Sequence, residues 1–275
     1  MALNDISLTA GMRSNLLSLQ QTVSLMNRTQ TRLSSGKKVN TPIDDPLNYF
    51  TAKSLTDRAS DISTAKDSMS EGIQTITAAN NGVKAINALI GTAKGIATSA
   101  LSAAAGDISG LETQYNGILT QIDNAANNSF YKGTNLVQSG SNTLTVNLGD
   151  NSSLTVTGFN GTATGLSISQ ASASAKDWFT SGATAINASI TQLDNAVATL
   201  RLQTQNLSSN SSVVTIRQDF ANNMISTLTQ GSDNLTLADM NEEGANMLML
   251  QTRQALGISA LSLSAQAAQS VLKLF

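Results

Sequence analysis

Near the N-terminus, Leu16, Leu19, Val23, Met26 and Leu33 alternate at intervals of three and four, with polar Gln30 filling one slot of the series. At the C-terminus, Ile258, Leu261, Ala265, Ala268, Leu272 and Phe275 keep the same rhythm to the last residue. Such spacing sets apolar side chains along one stripe of a helix, the seam of a coiled coil. A stripe of this kind must be buried, against the other end of the chain or against another copy. The pattern points to assembly rather than to catalysis. The plainer reading is that both helices are amphipathic and pack within one monomer.

The interior carries longer runs of the same kind. Leu55, Ile62, Met69, Ile76, Val83, Ile90 and Ala97 recur at strict sevens, and the intervening seam positions Ala65, Gly72, Ala79, Ala93 and Ala100 are small, with Ile86 larger. An Asp45-Pro46 start supplies an N-cap acid and the residue favoured at the first helical position. An unbroken helix from Pro46 to about Ser102 would extend roughly 85 Å at about 1.5 Å per residue. Gly82, Gly91 and Gly95 weaken it by about 1 kcal/mol each relative to Ala.

After a break around Ala105–Gly106, a helix fits Ile108, Leu111, Tyr115, Ile118, Ile122 and Ala125. Beyond Asp177, Ile186, Ile190, Leu193, Val197, Leu200, Thr204 and Leu207 follow the heptad, continuing through Val214, Ala221, Ile225 and Leu228 until Gly231 is expected to break it. Asp239 with Glu242 then forms a plausible capping box before the last helix. At the other end, the first helix is expected over about Asn4 to Leu33, with Gly36 as its left-handed stop.

The segment from about Thr134 to Gln170 changes period. Leu144, Val146 and Leu148 alternate with polar residues, as do Leu154 and Val156, around Gly149-Asp150-Asn151, which reads as a β-hairpin. Leu166 and Ile168 suggest a further short strand, and Trp178 and Phe179 are expected to anchor the base of this insert. The fold class is therefore mainly α: an elongated antiparallel helical bundle or coiled coil formed from both termini, with a small β-hairpin insert.

Composition fits and excludes. Aromatics make up 4% of the chain and charged residues 12%, with Ser, Thr, Asn and Gln in their place, which suits thin Ala- and Leu-packed bundles whose copies repel one another little. The chain has no Cys and no His, so thiolate chemistry, Ser-His-Asp catalysis and the HExxH zinc motif are impossible, and no enzyme, cofactor or metal site is expected. A net charge of -2, with Lys37-Lys38 the only adjacent basic pair, argues against nucleic-acid binding. Nothing has the length and apolarity of a membrane span, and MALNDISLTAGM lacks the form of a cleaved signal peptide. Export without such a signal is the expectation.

At this point three segments resemble the bacterial flagellins. RLSSGKKVNTPIDDP (Arg32–Pro46) is similar to the family's RLSSGxxIN…DD signature, and FYKGTNL (Phe130–Leu136) resembles the FNGxxLL-type end of the N-terminal half. Asp239–Phe275, closing in QAAQSVLKLF, resembles the family's C-terminal ending. The resemblance implies a filament subunit. Its terminal helices would pair as an inner tube around a channel, with Leu16, Leu19, Val23, Met26, Leu33, Ile258, Leu261, Ala265, Ala268, Leu272 and Phe275 as the subunit interface.

The division implied is 1–35 for the N-terminal inner-tube helix, 36–45 for a linker, 46–136 and 177–230 for the two halves of a helical shell, 137–176 for the variable insert, and 231–275 for the C-terminal inner-tube helix. Arg32, Gly36, Asp44 and Asp45 belong to the linker between shells; metal binding by the two adjacent carboxylates is the weaker reading, because further ligands are missing. Partners implied are other copies in a homopolymer, an export chaperone on the C-terminal segment, and the filament cap and hook–filament junction proteins, with no nucleic acid and no membrane insertion. The chain would be exported unfolded through the flagellar type III apparatus into an extracellular filament.

One departure matters. The innate flagellin receptor reads an LQRxRELxVQ-like stretch in members it detects; an ungapped match here is Leu89–Ile96, where Gly91, Ala93, Lys94 and Gly95 replace the Arg, Arg, Glu and Leu. Weak or absent recognition is expected. The Ser/Thr-rich insert is equally compatible with O-linked glycans and with a bare solvated loop. A hook–filament junction protein, and an unrelated coiled-coil scaffold, are the alternatives to a flagellin.

Overall fold

A computed structural model describes residues 10–138, 142–150, 152–171 and 177–272. They form helices α1 (Ala10–Ser35), α2 (Pro46–Leu101), α3 (Ala105–Asn127), α4 (Trp178–Thr236) and α5 (Met240–Leu272), with strands β1 (Phe130–Tyr131), β2 (Thr134–Asn135), β3 (Thr143–Gly149) and β4 (Ser152–Thr157). The mainly α class with a small β insert is as the sequence implied. The chain divides into two compact units: residues 1–58 with 227–275, and residues 59–226.

In the unit of residues 59–226, the strict sevens of α2 become a buried stripe. Met69, Ile76, Val83, Ile86, Ile90, Ala93 and Ala97 pack with Tyr115, Leu119 and Ile122 of α3 and Ile186, Leu193 and Leu200 of α4. Small residues serve close approach: a Cβ on the seam residue Gly72 would come within 2.6 Å of Val146 Cγ2 on β3, and one on Gly82, beside the seam, would overlap Ser129 Oγ. On α3 the most buried residues are Glu112, Tyr115, Leu119, Ile122 and Ala126, a stripe slightly rotated from the expected one.

β1 and β2 pair around Lys132 (φ 46°) and Gly133 (φ 83°), a tight hairpin turn with both central residues left-handed. Asn135 holds this turn on α3. Its Nδ2 donates to the Ala126 and Asn127 carbonyls (2.8 and 3.0 Å), and its Oδ1 accepts from Val137 and Gln138 N–H. β3 and β4 form the expected antiparallel hairpin, with Val146 and Val156 buried and an irregularity between Asn147 and Gly149. Asn151 of the expected turn lies outside the described residues.

Three expectations need correction. Leu166 and Ile168 form no strand; they sit in a turn closed by Leu166 N–H to the Thr162 carbonyl (2.9 Å) and Ile168 N–H to the Ala163 carbonyl (2.8 Å), with both side chains buried on the helices. Their alternation reflects two inward side chains, not a ladder. Trp178 is an anchor, fully buried with Nε1 donating to Ser189 Oγ at 3.1 Å, but Phe179 is 62% exposed because the first turn of α4 points it outward. Gly231 does not end α4, which continues to Thr236; it lies against Leu55, where a Cβ would come within 3.3 Å, so this glycine serves packing rather than termination. The one non-helical residue inside α4 is Gly182 (φ 59°).

Candidate functional site

In the unit of residues 1–58 and 227–275, α1 packs along α5. Arg32, late in α1, meets Glu243, early in α5, and Leu19 meets Gly257, so the two helices run antiparallel. The start expected near Asn4 lies outside the described residues; the stop is as expected, with Gly36 at φ 71° and its N–H donating to the Arg32 carbonyl at 2.8 Å. Capping at the other turn is equally direct. Asp239 Oδ1 accepts from Asn241 N–H at 2.8 Å and Glu242 N–H at 3.3 Å to open α5. Glu242 itself is exposed, and Glu243 is the carboxylate that turns inward, taking Arg32 Nη1 at 2.8 Å.

The heptads do converge, in a register the sequence left open. Leu16, Leu19, Val23, Ile258, Leu261 and Ala265, with Gln20 and Ser262, line one apolar groove of about 630 Å³ between α1 and α5. Met26, Leu33 and Ala268 are half-buried, as are Leu19, Val23, Leu261 and Ala265. The side chains of Leu272 and Phe275 lie outside the described residues. The buried residues of α1 are instead Met12, Thr22 and Thr29. With Asn15, Leu19, Met26 and Leu33 these make a 3-4 stripe one residue behind the apolar one. Thr22 tolerates burial because its Oγ1 donates to the Ser18 carbonyl at 2.8 Å. Leu16 is left at the rim, 40% exposed.

On α5, Glu243 and Leu250 are buried and Gln254, Gly257, Leu261, Ser264 and Ala268 continue the face toward α1. A second apolar face was missed: Leu248, Leu256 and Leu263 are each 67% exposed, with Met249 beside them. Leu256 and Leu263 keep their own seven-residue spacing, about 200° around the helix from Ile258 and Ala265 at roughly 100° per residue. The signal was present in the sequence, since the apolar residues of α5 fit two heptad frames rather than one.

The linker residues are brought together within this unit. Lys37 bridges to Leu237, Lys38 N–H donates to the Thr236 carbonyl at 2.7 Å, and Ala238 N–H donates to the Gly36 carbonyl at 3.0 Å. Asp45 Oδ1 accepts Asn48 N–H at 3.0 Å and caps α2 as expected. Asp44 does not cap a helix. Its Oδ2 gathers Asn40 N–H (3.1 Å), Thr41 N–H (2.9 Å) and Thr41 Oγ1 (3.0 Å), and these hydrogen bonds, the Thr41 N–H foremost, hold its carboxyl below its ordinary value. Among the described residues no group of three or more His, Cys, Asp or Glu could hold a metal ion, and no helix is long and apolar enough to cross a membrane.

Of the positions matched to the receptor-read stretch, Gly91 and Gly95 are exposed and Lys94 Nζ pairs with Asp194 of α4 at 2.5 Å. Ala93 is fully buried in the helical core. A long side chain there would enter the core, so position 93 offers nothing to an external protein.

The site is a pair of terminal helices with apolar side chains left exposed, Leu16 and Ile258 on one side and Leu256 and Leu263 on the other. Residues 6–143 match the family described as the bacterial flagellin N-terminal helical region. The chain is 30% identical to Flagellin FljO of Caulobacter vibrioides over 278 aligned positions that span all of both chains. It is 27% identical to a flagellin of Brucella melitensis, covering 99% of this chain and 97% of the relative, and 37% identical to Flagellin A of Rhizobium meliloti over 34% of this chain and 24% of the relative. The chain belongs to the bacterial flagellin family and is a structural subunit of the flagellar filament. Nothing in these similarities favours a junction protein or an unrelated scaffold.

Proposed function

We propose that the uncovered apolar surface of α1 and α5 is the polymerisation interface, and that docking at the filament end completes the folding of both helices. The observation behind this reading is α5 itself, apolar on opposite sides and carrying three leucines each 67% exposed. A helix that is apolar on two opposite sides needs a partner on each to bury both. Helical stability comes mostly from tertiary packing of an apolar face, so in the free chain, where these faces stay uncovered, the termini are largely unordered. Burial on docking, at about 25 cal/mol per Å² of apolar surface, supplies the free energy of assembly.

In this reading residues 1–35 and 231–275 form the inner tube, 36–45 link it to a shell of 46–136 and 177–230, and 137–176 face outward. The chain leaves the cell through the flagellar export apparatus with a chaperone on its C-terminal segment. It then extends an extracellular filament between junction and cap proteins. Family membership supports this part. The exposed Gly91 and Gly95 offer the innate receptor no side chain, so reporter cells should respond weakly at ordinary flagellin doses.

The test is removal of Val271–Phe275, followed by seeded growth on sheared filaments watched by light scattering and electron microscopy. The truncated chain should keep its helical middle and fail to elongate. Filaments of normal length from it would overturn the reading.

A further inference from the structure

Between α2 and α4, in the unit of residues 59–226, Lys84 and Arg201 stand over one pocket of about 270 Å³. Buried Val83 and Leu200, with half-buried Val197, make its floor. Exposed Lys84, Asn87 and Arg201, with half-buried Thr204, make its rim. We infer that this pocket binds a short-chain carboxylate, its oxyanion between Lys84 and Arg201 and its aliphatic stem on the floor. The site belongs to one unit and needs no second copy.

Lys94 pairs with Asp194, and Gln218 Nε2 donates to Ser70 Oγ at 2.7 Å, so α2 and α4 run antiparallel. That register sets Asn87 across from Arg201 and Lys84 across from Thr204. The two cations thus hold diagonal corners, roughly 4.5 Å apart along the helix axes at about 1.5 Å per residue. One carboxylate can touch both.

The surroundings leave these charges unanswered. Residues 72–101 of α2 and 195–218 of α4 contain no Asp or Glu, and their basic residues are Lys84, Lys94, Arg201 and Arg217. Asp194 neutralises Lys94, whereas Lys84 and Arg201 have no acidic partner among the described residues. Long basic stems often lie over apolar surface, but covering a floor does not require two like charges at one mouth. An anion between them offsets their repulsion.

The donors and the floor select the ligand. Arg201 presents a planar fork that matches two carboxylate oxygens, Lys84 adds a point charge, and the Asn87 amide adds an uncharged donor. Thr204 Oγ1 is already committed, donating to the Leu200 carbonyl at 2.8 Å. A bare inorganic ion would leave three apolar side chains wet. The volume falls below the roughly 300 Å³ at which drug-sized pockets begin, which limits the stem to a few carbons. Touching both helices, the bound acid stabilises the folded unit by mass action.

Hexanoate is the probe, titrated at constant ionic strength into the full-length chain with its Val and Leu methyl groups labelled for NMR. Saturable shifts at Val83, Val197 and Leu200 are expected, with a dissociation constant on the order of 1 mM. Hexanol, which has the stem alone, and inorganic phosphate, which has the charge alone, should each bind at least about tenfold more weakly. Lys84→Gln/Arg201→Gln should weaken hexanoate binding about tenfold or more, with an unchanged circular dichroism spectrum. Equal binding of hexanol would reduce the pocket to an apolar crevice, and equal binding of phosphate would reduce it to a pair of charges. Either result overturns the proposal. So would hexanoate shifts confined to Leu19, Val23 and Leu261 of the terminal groove, the lack of any saturable shift at tens of millimolar, or wild-type affinity in the double variant.

Discussion

Leu19 lies directly on the backbone of Gly257: a Cβ at that glycine would come within 3.1 Å of Leu19 Cδ1 and 3.3 Å of its Cγ. The glycine is what lets α1 approach α5 at the middle of the seam. In Gly257→Ala, Leu19 shifts by a few tenths of an ångström while the helix gains about 1 kcal/mol of propensity, so the critical concentration for seeded growth should stay within about threefold. Gly257→Leu displaces Leu19 and overpacks the seam, and should raise that concentration about tenfold or more. Parent-like growth of the Leu variant would show that the contact is dispensable.

Arg32 and Glu243 join the two helices at 2.8 Å, with Glu243 buried and the Arg32 side chain 27% exposed. Arg32→Ala strands a buried carboxylate, and should cost about 1–3 kcal/mol, less than a fully buried pair because Arg32 is partly solvated. Arg32→Ala/Glu243→Ala should be less damaging than the sum of the single changes. Thermal melting of assembled filaments reads both effects, and strict additivity would dismiss the coupling.

Glu112 accepts Trp178 N–H at 2.7 Å, and desolvation foremost, with Asp177 nearby, raises its carboxyl above the ordinary 4.5. A raised carboxyl contributes stability that is fully present below about 4.5 and is lost as pH climbs through the folded value. Ionising Glu112 in the folded chain therefore carries a cost. Asp177 behaves oppositely: hydrogen bonds, that from Thr180 foremost, lower it, so its contribution is lost only as pH falls below 3.8 and through the depressed value. Glu112→Gln keeps an acceptor for Trp178, and should melt roughly 1–3 °C higher at pH 7 with a flatter profile between pH 4.5 and 7. A lower melting point for the Gln variant at pH 7 would contradict this account.

Gly91 and Gly95 face open space on α2, where a Cβ added at either would meet no atom within 4 Å. Replacing either with Ala should stabilise the chain by about 1 kcal/mol, seen as a rise in melting temperature with assembly unchanged. By contrast Gly82→Ala, forced against Ser129, should destabilise it. Equal effects at the three positions would refute the distinction.

How far the sequence could be read depended on how each signal arises. The sevens from Ile62 to Ala97 and from Ile186 to Leu228 are long enough that one stripe dominates, and nearly all of it is buried. Asp45 and Asp239 act locally, so their caps were visible from neighbours alone; Asp177 opens α4 in the same way, its Oδ1 accepting the Phe179 and Thr180 N–H groups at 2.8 and 3.3 Å. Gly231 misled because glycine signals both termination and close packing, and only Leu55, far away in sequence, decides between them. Leu166 and Ile168 misled because two inward residues alternate in a turn as they do in a strand. In the seam, α1 offered two overlapping stripes that share Leu19, Met26 and Leu33. The more apolar one was expected to be buried, against the other terminus or another copy, while the stripe with Thr22 and Thr29 is the one buried within the chain.

The near-absence of charge along α1 and α5 carries a consequence for the environment in which a filament works. Ion-pair interfaces between exposed residues weaken as salt shortens the screening length, from about 30 Å at about 0.01 M to about 3 Å at about 1 M. Seams built from Leu, Ile, Val and Ala have almost nothing to screen. On the proposed reading, in which these seams join the copies, the filament should keep its cohesion from low to high salt.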